Sequence, residues 1–451
     1  MTDVSAKRVT VMGLGRFGGG VGVTRWLADR GADVLVTDLE PADSLKASIN
    51  ALSDLVDSGR VTLRLGEHNV CDFTTADLII ANPAVPRPWE NRFLRAAAAA
   101  SIPVTTEIEL AIDRLPNRGN VIAVTGSVGK STTSAMIAHG LNATGRRAHL
   151  AGNIGGSLLQ DLGQVAHADW VVLELSSFML YWLEDAFARH RRAPHIAVLT
   201  NLSPNHLDWH ASLAHYESCK RYIYKFQNPD ATAIFGPSLA HLAAECEQRA
   251  VVAAPRDFRL SPRIPGAHNV ENAAVALTAC RAACPDESPD QLAAAIADFG
   301  GLPHRLQLVR EMSRPHSSAP IRFFNDSKST TAESAVRAVE AIADMPGMSI
   351  GRIHLIAGGY DKGADLSPVS HLAPRLGALY TVGVTGPSLA AACDATAIVH
   401  ECGTIAEAVR RAWTRLRPGD ALLLSPACAS WDQYSNYQQR GDEFVRLVTS
   451  L

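Results

Sequence analysis

No run of about 18 apolar residues occurs anywhere in this 451-residue chain, so nothing in it reads as a membrane span. Met1 to Lys7 is polar and lacks the apolar core of a secretory leader. A strong charge of one sign is missing too. The formal net charge is −3, which gives no reason to expect a nucleic-acid partner. Paired cysteines are absent: eight are scattered, and only Cys280 and Cys284 lie close together. That excludes a disulfide framework and fits a reducing cytosol, with the thiols as small core residues. Disorder is excluded by 47% apolar and 19% charged residues. What remains reads as a cytoplasmic protein of about three domains, with no nucleic-acid or membrane partner expected and a monomer as the expected state.

One further absence is local. Residues 121–124 read as a buried strand, and a helical run follows from about Thr133 to Leu141. Between them lie Thr125, Gly126, Ser127, Val128, Gly129, Lys130, Ser131 and Thr132. Strand, glycine loop, Lys-Ser and helix build a phosphate cradle. The glycines let backbone N–H groups turn inward, the helix N-terminus adds partial positive charge, Lys130 adds a full charge, and Ser131 can ligate Mg2+. The common P-loop spacing puts glycine five residues before Gly129; Val124 stands there instead.

Upstream, a strand over 9–12 leads into Gly13-Leu14-Gly15-Arg16-Phe17-Gly18, a helical run to Arg30, and a second strand over 33–37 that ends at Asp38. This is a dinucleotide-type fingerprint, but alone it marks a glycine turn and names no nucleotide. Asn82 to Pro86 forms a proline-stiffened loop after another strand, and 117–120 reads as a linker. Downstream, a strand over 170–175 carries Glu174 near its end, where either a Mg2+ ligand or a solvated strand end belongs. A strand over 196–200 precedes His206, which alone is an ordinary histidine at a ligand position. Lys220, on a helix from roughly Ser212 to Phe226, is chemically an ordinary helical lysine. Asn269 and Asn272 precede a helix over 273–283, placed to cap its first turn or to read a ligand. In the last third, strands over 321–324, 353–357, 380–384 and 421–424 alternate with polar loops and helices, giving a further α/β domain. Residues 313–319 read as a flexible loop.

Taken in order, several stretches resemble the Mur ligases, ATP-dependent amide-forming enzymes of peptidoglycan precursor synthesis. They are 125–132, Gly152-Asn153-Ile154-Gly155, Glu174-Leu175-Ser176-Ser177-Phe178, 201–208, His268-Asn269-Val270-Glu271-Asn272, Pro303-His304-Arg305, Asn325-Asp326-Ser327-Lys328 and 358–365. The resemblance covers nearly the whole chain. Residues 423–430 followed by Asp432-Gln433 resemble the branch that joins D-glutamate to UDP-N-acetylmuramoyl-L-alanine.

The resemblance implies an α/β fold of three domains, each an open sheet. Residues 1–116 would be a Rossmann-like domain for the UDP substrate, 117–302 a P-loop ATPase-like domain for ATP, and 303–451 a Rossmann-like domain for the incoming amino acid. It also implies roles. Gly13, Gly15, Gly18 and Asp38 would lie near UDP, not NAD, and the loop from Gly126 to Thr132 would cradle ATP, with Lys130 on its β- and γ-phosphates. Ser131 and Glu174 would hold one Mg2+; His206 and Lys220 would hold a second, Lys220 being carbamylated by CO2. Asn153 would steady the phosphate or acyl group, and Asn272, Arg305 and Asp326 would contact ATP. Thr330, Lys362, Ser430 and Tyr437 would hold the glutamate. In the implied reaction the alanine carboxylate takes the γ-phosphate and the glutamate amine then displaces phosphate from the acyl phosphate. Closure of the third domain would exclude water.

The sequence departs from the family pattern at Val128 (usually Asn), Asn205 (usually Asp), Asn82-Pro83-Ala84 (usually Ser-Pro-Gly) and Thr331 (commonly Asn), and at Trp431 and Tyr437 near the glutamate. Because backbone N–H groups do most of the cradling, activity is expected to survive Val128. The competing readings are a superfamily ligase using L-glutamate or another amino acid, a folate-type polyglutamate ligase, and a nucleotide switch. An NAD dehydrogenase would leave Lys130 idle.

Overall fold

The computed structural model of the chain describes all residues except 1–2, 16–17, 191–192, 256–257, 259–263, 265, 315–318, 362 and 364. Val9, Val11, Val34 and Val36 alternate along two neighbouring strands and are all buried, the period-2 pattern of a sheet face. The first sheet is parallel: β1 (Arg8–Met12), β2 (Asp33–Asp38), β3 (Val61–Leu65), β4 (Leu78–Ala81) and β5 (Val104–Thr105), in the order β3-β2-β1-β4-β5. This order reverses between β1 and β4, the switch point where open α/β sheets bind ligands. Gly13 follows β1 and Asn82 follows β4. Gly13 has φ 95°, and a Cβ on it would lie 2.9 Å from the Asn82 Cβ.

The second sheet is parallel and six-stranded: β6 (Val121–Thr125), β7 (Ala148–Gly152), β8 (Trp170–Glu174), β9 (Ile196–Leu199), β10 (Thr232–Phe235) and β11 (Arg249–Val252), in the order β11-β10-β9-β6-β8-β7. The third has the order β12-β13-β17-β14-β15-β16, from β12 (Gln307–Met312), β13 (Ile321–Asn325), β14 (Ile353–Gly358), β15 (Ala378–Val382), β16 (Val399–Gly403) and β17 (Ala421–Leu424). Its edge strand β12 runs antiparallel to β13. Both faces of this sheet are covered. Phe324, Leu355 and Leu423 enter one apolar cluster, while Phe323, Ile356 and Leu422 enter another. Hence Ala421–Leu424 is apolar at every position.

The α/β expectation holds in all three sheets. Strands β3, β5, β10, β11, β12 and β16 are additional to the sequence reading. Several are edge strands with half-exposed residues, and β12 carries a register shift between Leu308 and Arg310. Two helices begin earlier than expected. The helix after β6 is Lys130–Ala143, because Gly129 at φ 80° is already its N-cap. The helix Ala267–Ala283 takes in Asn269 and Asn272, which therefore lie inside it and not before it. The strand β8 ends at Glu174, one residue short of the expected end. Of the loop expected at 313–319, residues 315–318 lie outside the described residues.

By contact the chain divides into two units, Met1–Asp257 with Glu271–Ile296, and Phe258–Val270 with Ala297–Leu451. The first unit holds both β1–β5 and β6–β11, and one apolar core joins them, from Val9 and Trp26 to Val171 and Leu183. A polar tie reinforces it: Ser157 Oγ donates to Glu107 Oε1 at 2.7 Å. Burial pushes the Glu107 carboxyl above its usual pKa. All eight cysteines are free thiols. Among the described residues no helix is long and apolar enough to cross a membrane.

The glycine loop after β1 divides its duties differently from the usual fingerprint. Gly18 supplies a left-handed N-cap (φ 91°) to the helix Gly19–Ala28, and a Cβ there would meet nothing within 4 Å. Close packing of the helix against the loop falls to Gly20, where a Cβ would lie 2.2 Å from the Leu14 carbonyl oxygen. Gly20→Ala is expected to destabilise the first unit by about 1–3 kcal/mol, a drop of several degrees in melting temperature. Gly18→Asn, which tolerates a left-handed backbone, should melt near wild type. Circular dichroism melts of the two variants check this.

Candidate active site

The loop from Gly126 to Gly129 is held open by the segment that follows β9. Asn201 grips one residue from both sides: its Oδ1 accepts from Val128 N and its Nδ2 donates to Val128 O, each at 3.0 Å. Thr200 Oγ1 also donates to Val128 O at 2.8 Å. Ser127 Oγ accepts from Ser203 N at 2.8 Å and lies 2.7 Å from the Tyr216 hydroxyl. The loop shape therefore comes from backbone held by Thr200, Asn201, Ser203 and Tyr216. The Val128 side chain is 53% exposed and takes no part in it. The Val128 N–H is engaged by Asn201 and is not free for a phosphate. Glycine is required at both loop ends. A Cβ on Gly126 would lie 1.9 Å from Thr200 Oγ1, and one on Gly129 would lie 2.3 Å from Asn272 Oδ1. Thr133 Oγ1 donates to that same Asn272 oxygen at 3.3 Å, so Asn272 packs directly on the loop and its helix.

Two lysines converge on one carbonyl. Lys130 Nζ donates to Gly126 O at 3.0 Å and to Ser127 O at 3.1 Å. Lys220 Nζ, on the helix Leu213–Lys225, donates to the same Gly126 O at 2.8 Å and to Thr125 Oγ1 at 3.2 Å. Lys220 is 2% exposed and its amine lies over the Tyr216 ring. Burial first, and the charge of Lys130 second, hold its pKa well below the ordinary lysine value.

Glu174 ends β8 directly beside Val124 of β6 and Gly152 of β7, and is 1% exposed. Its Oε1 accepts from Asn153 Nδ2 at 2.8 Å. Its Oε2 is buried with no hydrogen-bond partner among the described residues. A buried, half-satisfied carboxylate in a phosphate-loop domain fits a hard divalent cation, and Ser131, in the first turn after the loop, adds a suitable hydroxyl. The Asn153 amide thus sits on Glu174, where a phosphate or acyl contact was expected.

His206 has a left-handed backbone, φ 53°, just before the short helix Leu207–His210. Asn205 Oδ1 accepts from His206 N at 2.9 Å, so the residue that replaces the usual Asp serves the backbone and not the ring. The ring is oriented by Phe178, edge-on at 4.9 Å, which itself stacks on Trp209 at 4.7 Å. Partial burial, then the charge of Lys130, lowers the His206 pKa, with a smaller contribution from Lys220. Lys220 is thus within electrostatic reach of Lys130, Glu174 and His206, and His206 within reach of Lys130.

In the first sheet, Asp38 Oδ2 accepts from Gly15 N at 3.0 Å and Oδ1 accepts from Glu40 N at 2.9 Å. Oδ2 thus shapes the glycine loop that contains Gly13, Gly15 and Gly18, while Oδ1 closes the turn that follows β2.

In the second unit, Asp326 follows β13; its Oδ1 accepts from Leu306 N at 3.0 Å and its Oδ2 from Ser425 Oγ at 2.8 Å. Burial raises its pKa to about 6, against the charge of nearby Arg305. Arg305 Nε is itself buried without a hydrogen-bond partner among the described residues. Ser430 is buried in the loop after β17, Tyr437 opens the helix Tyr437–Thr449, and Thr330 is exposed. Lys362 lies outside the described residues. Sequence reasoning missed Arg440, which is 2% exposed and ties these loops together. Its guanidinium donates to Ser327 Oγ, Ser327 O and Cys428 O at 2.7–3.0 Å. A single arginine on an amphipathic helix gives no sequence signal for such a role.

Three α/β sheets, with a glycine-Lys-Ser phosphate loop on the second and buried acid and amine groups around it, define a P-loop nucleotide-binding protein. Two family models match the chain: the Mur ligase middle domain over residues 124–253, and the Mur ligase, glutamate ligase domain over residues 304–428. The UDP-N-acetylmuramoylalanine–D-glutamate ligase of Acidobacterium capsulatum is 33% identical, across 99% of this chain and 97% of that protein. On these matches, the chain belongs to the Mur ligase family. Among solved structures, UDP-N-acetylmuramate-alanine ligase MurC of Thermotoga maritima aligns with a TM-score of 0.58 at 18% identity, over 98% of this chain and 99% of that one. MurF ligase of the same organism, in complex with ADP, aligns with a TM-score of 0.56 at 16% identity, over 100% of each chain. Those two likenesses concern the fold.

The orphaned Glu174 oxygen leads to a direct expectation. Glu174→Gln keeps the Asn153 contact and removes the charge. Turnover in a Mg2+-dependent phosphate-release assay should fall by about 10²-fold or more, while thermal stability holds or rises. Steady-state kinetics across Mg2+ concentrations, alongside a melt, tests it.

Proposed function

We propose that this chain is the ATP-dependent ligase that adds D-glutamate to UDP-N-acetylmuramoyl-L-alanine, releasing ADP and phosphate, in peptidoglycan precursor synthesis. The observation that carries the reading is the pair of lysines on the Gly126 carbonyl, in a chain whose full-length relative bears that activity in its name. Residues 1–116 would bind the UDP part through the loop at Gly13, Gly15, Gly18 and Asp38. Residues 117–302 would bind ATP, and 303–451 the amino acid.

Lys130 faces the β- and γ-phosphates and neutralises charge as the alanine carboxylate attacks the γ-phosphorus. Glycine-loop N–H groups and the start of the helix Lys130–Ala143 hold the phosphates in place. The products of that step are ADP and an acyl phosphate. The glutamate amine then adds to the acyl carbon, and the tetrahedral adduct expels phosphate to leave the amide. Asn272, Arg305 and Asp326 contact ATP. Thr330, Lys362, Ser430 and Tyr437 hold the glutamate, with Arg440 tying the loop that carries Thr330 to the one that carries Ser430.

The depressed Lys220 pKa supports carbamylation. A neutral amine carries the lone pair that adds to CO2; the adduct loses one proton and becomes an anionic carbamate. A buried lysine then offers oxygen ligands in place of an ammonium. Ser131 and Glu174 would hold one Mg2+, and His206 with carbamylated Lys220 a second, where the ions supply charge neutralisation on the phosphates.

Incubation with ATP, Mg2+, UDP-N-acetylmuramoyl-L-alanine and single amino acids tests the reaction. Phosphate release and a product mass gain are expected with D-glutamate alone. Release without the UDP substrate, or a preference for another amino acid, overturns the assignment. Lys220→Ala should abolish ligation, and added short carboxylates should restore part of it by standing in for the carbamate. Full activity in Lys220→Ala would rule the carbamate out.

A further inference from the structure

Beside the segment that carries His206 lies a second group of ligating side chains that the ligase reaction does not use. His210 ends the helix Leu207–His210, while His215 and Cys219 lie four residues apart on one face of the helix Leu213–Lys225. One ligand atom from each of the three falls within 4.8 Å of the others. His210 is 1% exposed and Cys219 0%. We propose that His210, His215 and Cys219 form a binding site for Zn2+ that is separate from the Mg2+ site and clasps the chain between His206 and Lys220.

The hydrogen bonds around the cluster arrange the lone pairs inward. His210 Nε2 lies 2.9 Å from Ser177 Oγ. With Nε2–H donating there, Nδ1 is left as an acceptor. His215 Nδ1 lies 3.1 Å from the His210 carbonyl oxygen. With Nδ1–H donating to it, Nε2 is left as an acceptor, 3.6 Å from Cys219 Sγ. His210 is thus anchored through its outer N–H, the arrangement that fixes histidine ligands in metal sites, while His215 Nδ1 also lies 3.2 Å from His210 Nδ1, a contact that gives way when the ion takes the His210 lone pair. A tetrahedral ion with bonds of about 2.0–2.1 Å to nitrogen and about 2.3 Å to sulfur separates neighbouring N and S ligands by roughly 3.5 Å. The His215–Cys219 separation already has that value. Only the thiol proton must leave: Zn2+ forms a bond to Cys219 sulfur and to two neutral imidazoles, and one proton passes to solvent.

The donor set decides the ion. Two imidazoles and a thiolate select a borderline or soft ion and discriminate against Mg2+, whereas Glu174 and Ser131 offer only oxygen. The walls are aromatic. Trp89 meets the His215 ring edge-on at 4.7 Å, Tyr181 lies 5.8 Å away, and Trp209 packs on His210 at 4.5 Å. A bound ion would join the helix ending at His210 to the helix bearing Lys220. It would stiffen the loop on which His206 sits without contacting substrate.

The test uses the full chain, stripped of metal and titrated with Co2+ as a spectroscopic stand-in for Zn2+. Wild type should develop a near-ultraviolet thiolate-to-cobalt charge-transfer band, with the visible bands of a tetrahedral ion, saturating at one equivalent. Excess Mg2+ should leave the band in place, and Zn2+ should displace it. Cys219→Ser should lose it and His215→Ala should weaken it. Zn2+ should raise the melting temperature of wild type and not that of Cys219→Ser. Absence of the thiolate band from wild type overturns the proposal, whatever the variants do. So does a band that persists undiminished in Cys219→Ser, which would place the sulfur on another cysteine.

Discussion

The amine of Lys220 and the ammonium of Lys130 share the carbonyl oxygen of Gly126, and the chemistry of the second sheet depends on how that crowding is resolved. Two positive charges in a buried site repel each other, and neither can be moved. Lys130 heads the helix proposed to receive phosphate, and Lys220 lies between Thr125 and the Tyr216 ring. Burial and the charge of Lys130 both lower the Lys220 pKa and so favour its neutral form. The neutral amine is a nucleophile where the ammonium is inert, and it leaves Lys130 as the cation proposed to face the phosphates. Asn201, Thr200 and Ser203 hold the carbonyl where both amines can reach it, so the buttress behind the loop matters as much as the loop.

The α/β architecture was legible in the chain wherever strands are buried on both faces. The central strands β1, β6, β8, β14 and β17 are apolar runs bounded by glycine or polar loops, and the alternation of strand and helix implied parallel sheets. The edges were not legible. β5 has two residues, and β11, β12 and β16 are half-exposed, so their burial pattern carries little hydrophobic contrast. Helix starts were misplaced where a glycine in a left-handed conformation acts as the cap, as at Gly129, because sequence gives no sign of φ.

The site was legible as residue types at strand ends, but not as contacts. Glu174 and Lys130 could be placed from spacing. The burial of Lys220 could not, because its helix exposes Glu217 and Arg221 more than it does Lys220, and a single lysine carries no periodic signal. Partner assignments shifted as well. Asn153 turned to Glu174, Asn205 to the His206 backbone, and Asp38 to the glycine loop. In each case a short polar side chain met a backbone or carboxyl group next to it, and that local bond is available whether or not a ligand is bound.

One apolar core runs through the first and second sheets, and Ser157 bridges to Glu107 across it. The residues proposed to hold the sugar nucleotide and those proposed to hold ATP therefore belong to one cooperative body. For evolution this means that the opening 116 residues are not a cassette. A crossover near residue 117 between two relatives would bring together a Gly22 and a Ser157 that had not been selected as neighbours, in a contact too close to admit even one extra methyl group. Inherited changes in acceptor specificity are then confined to loops at strand ends, and the seam between the two sheets descends as a unit.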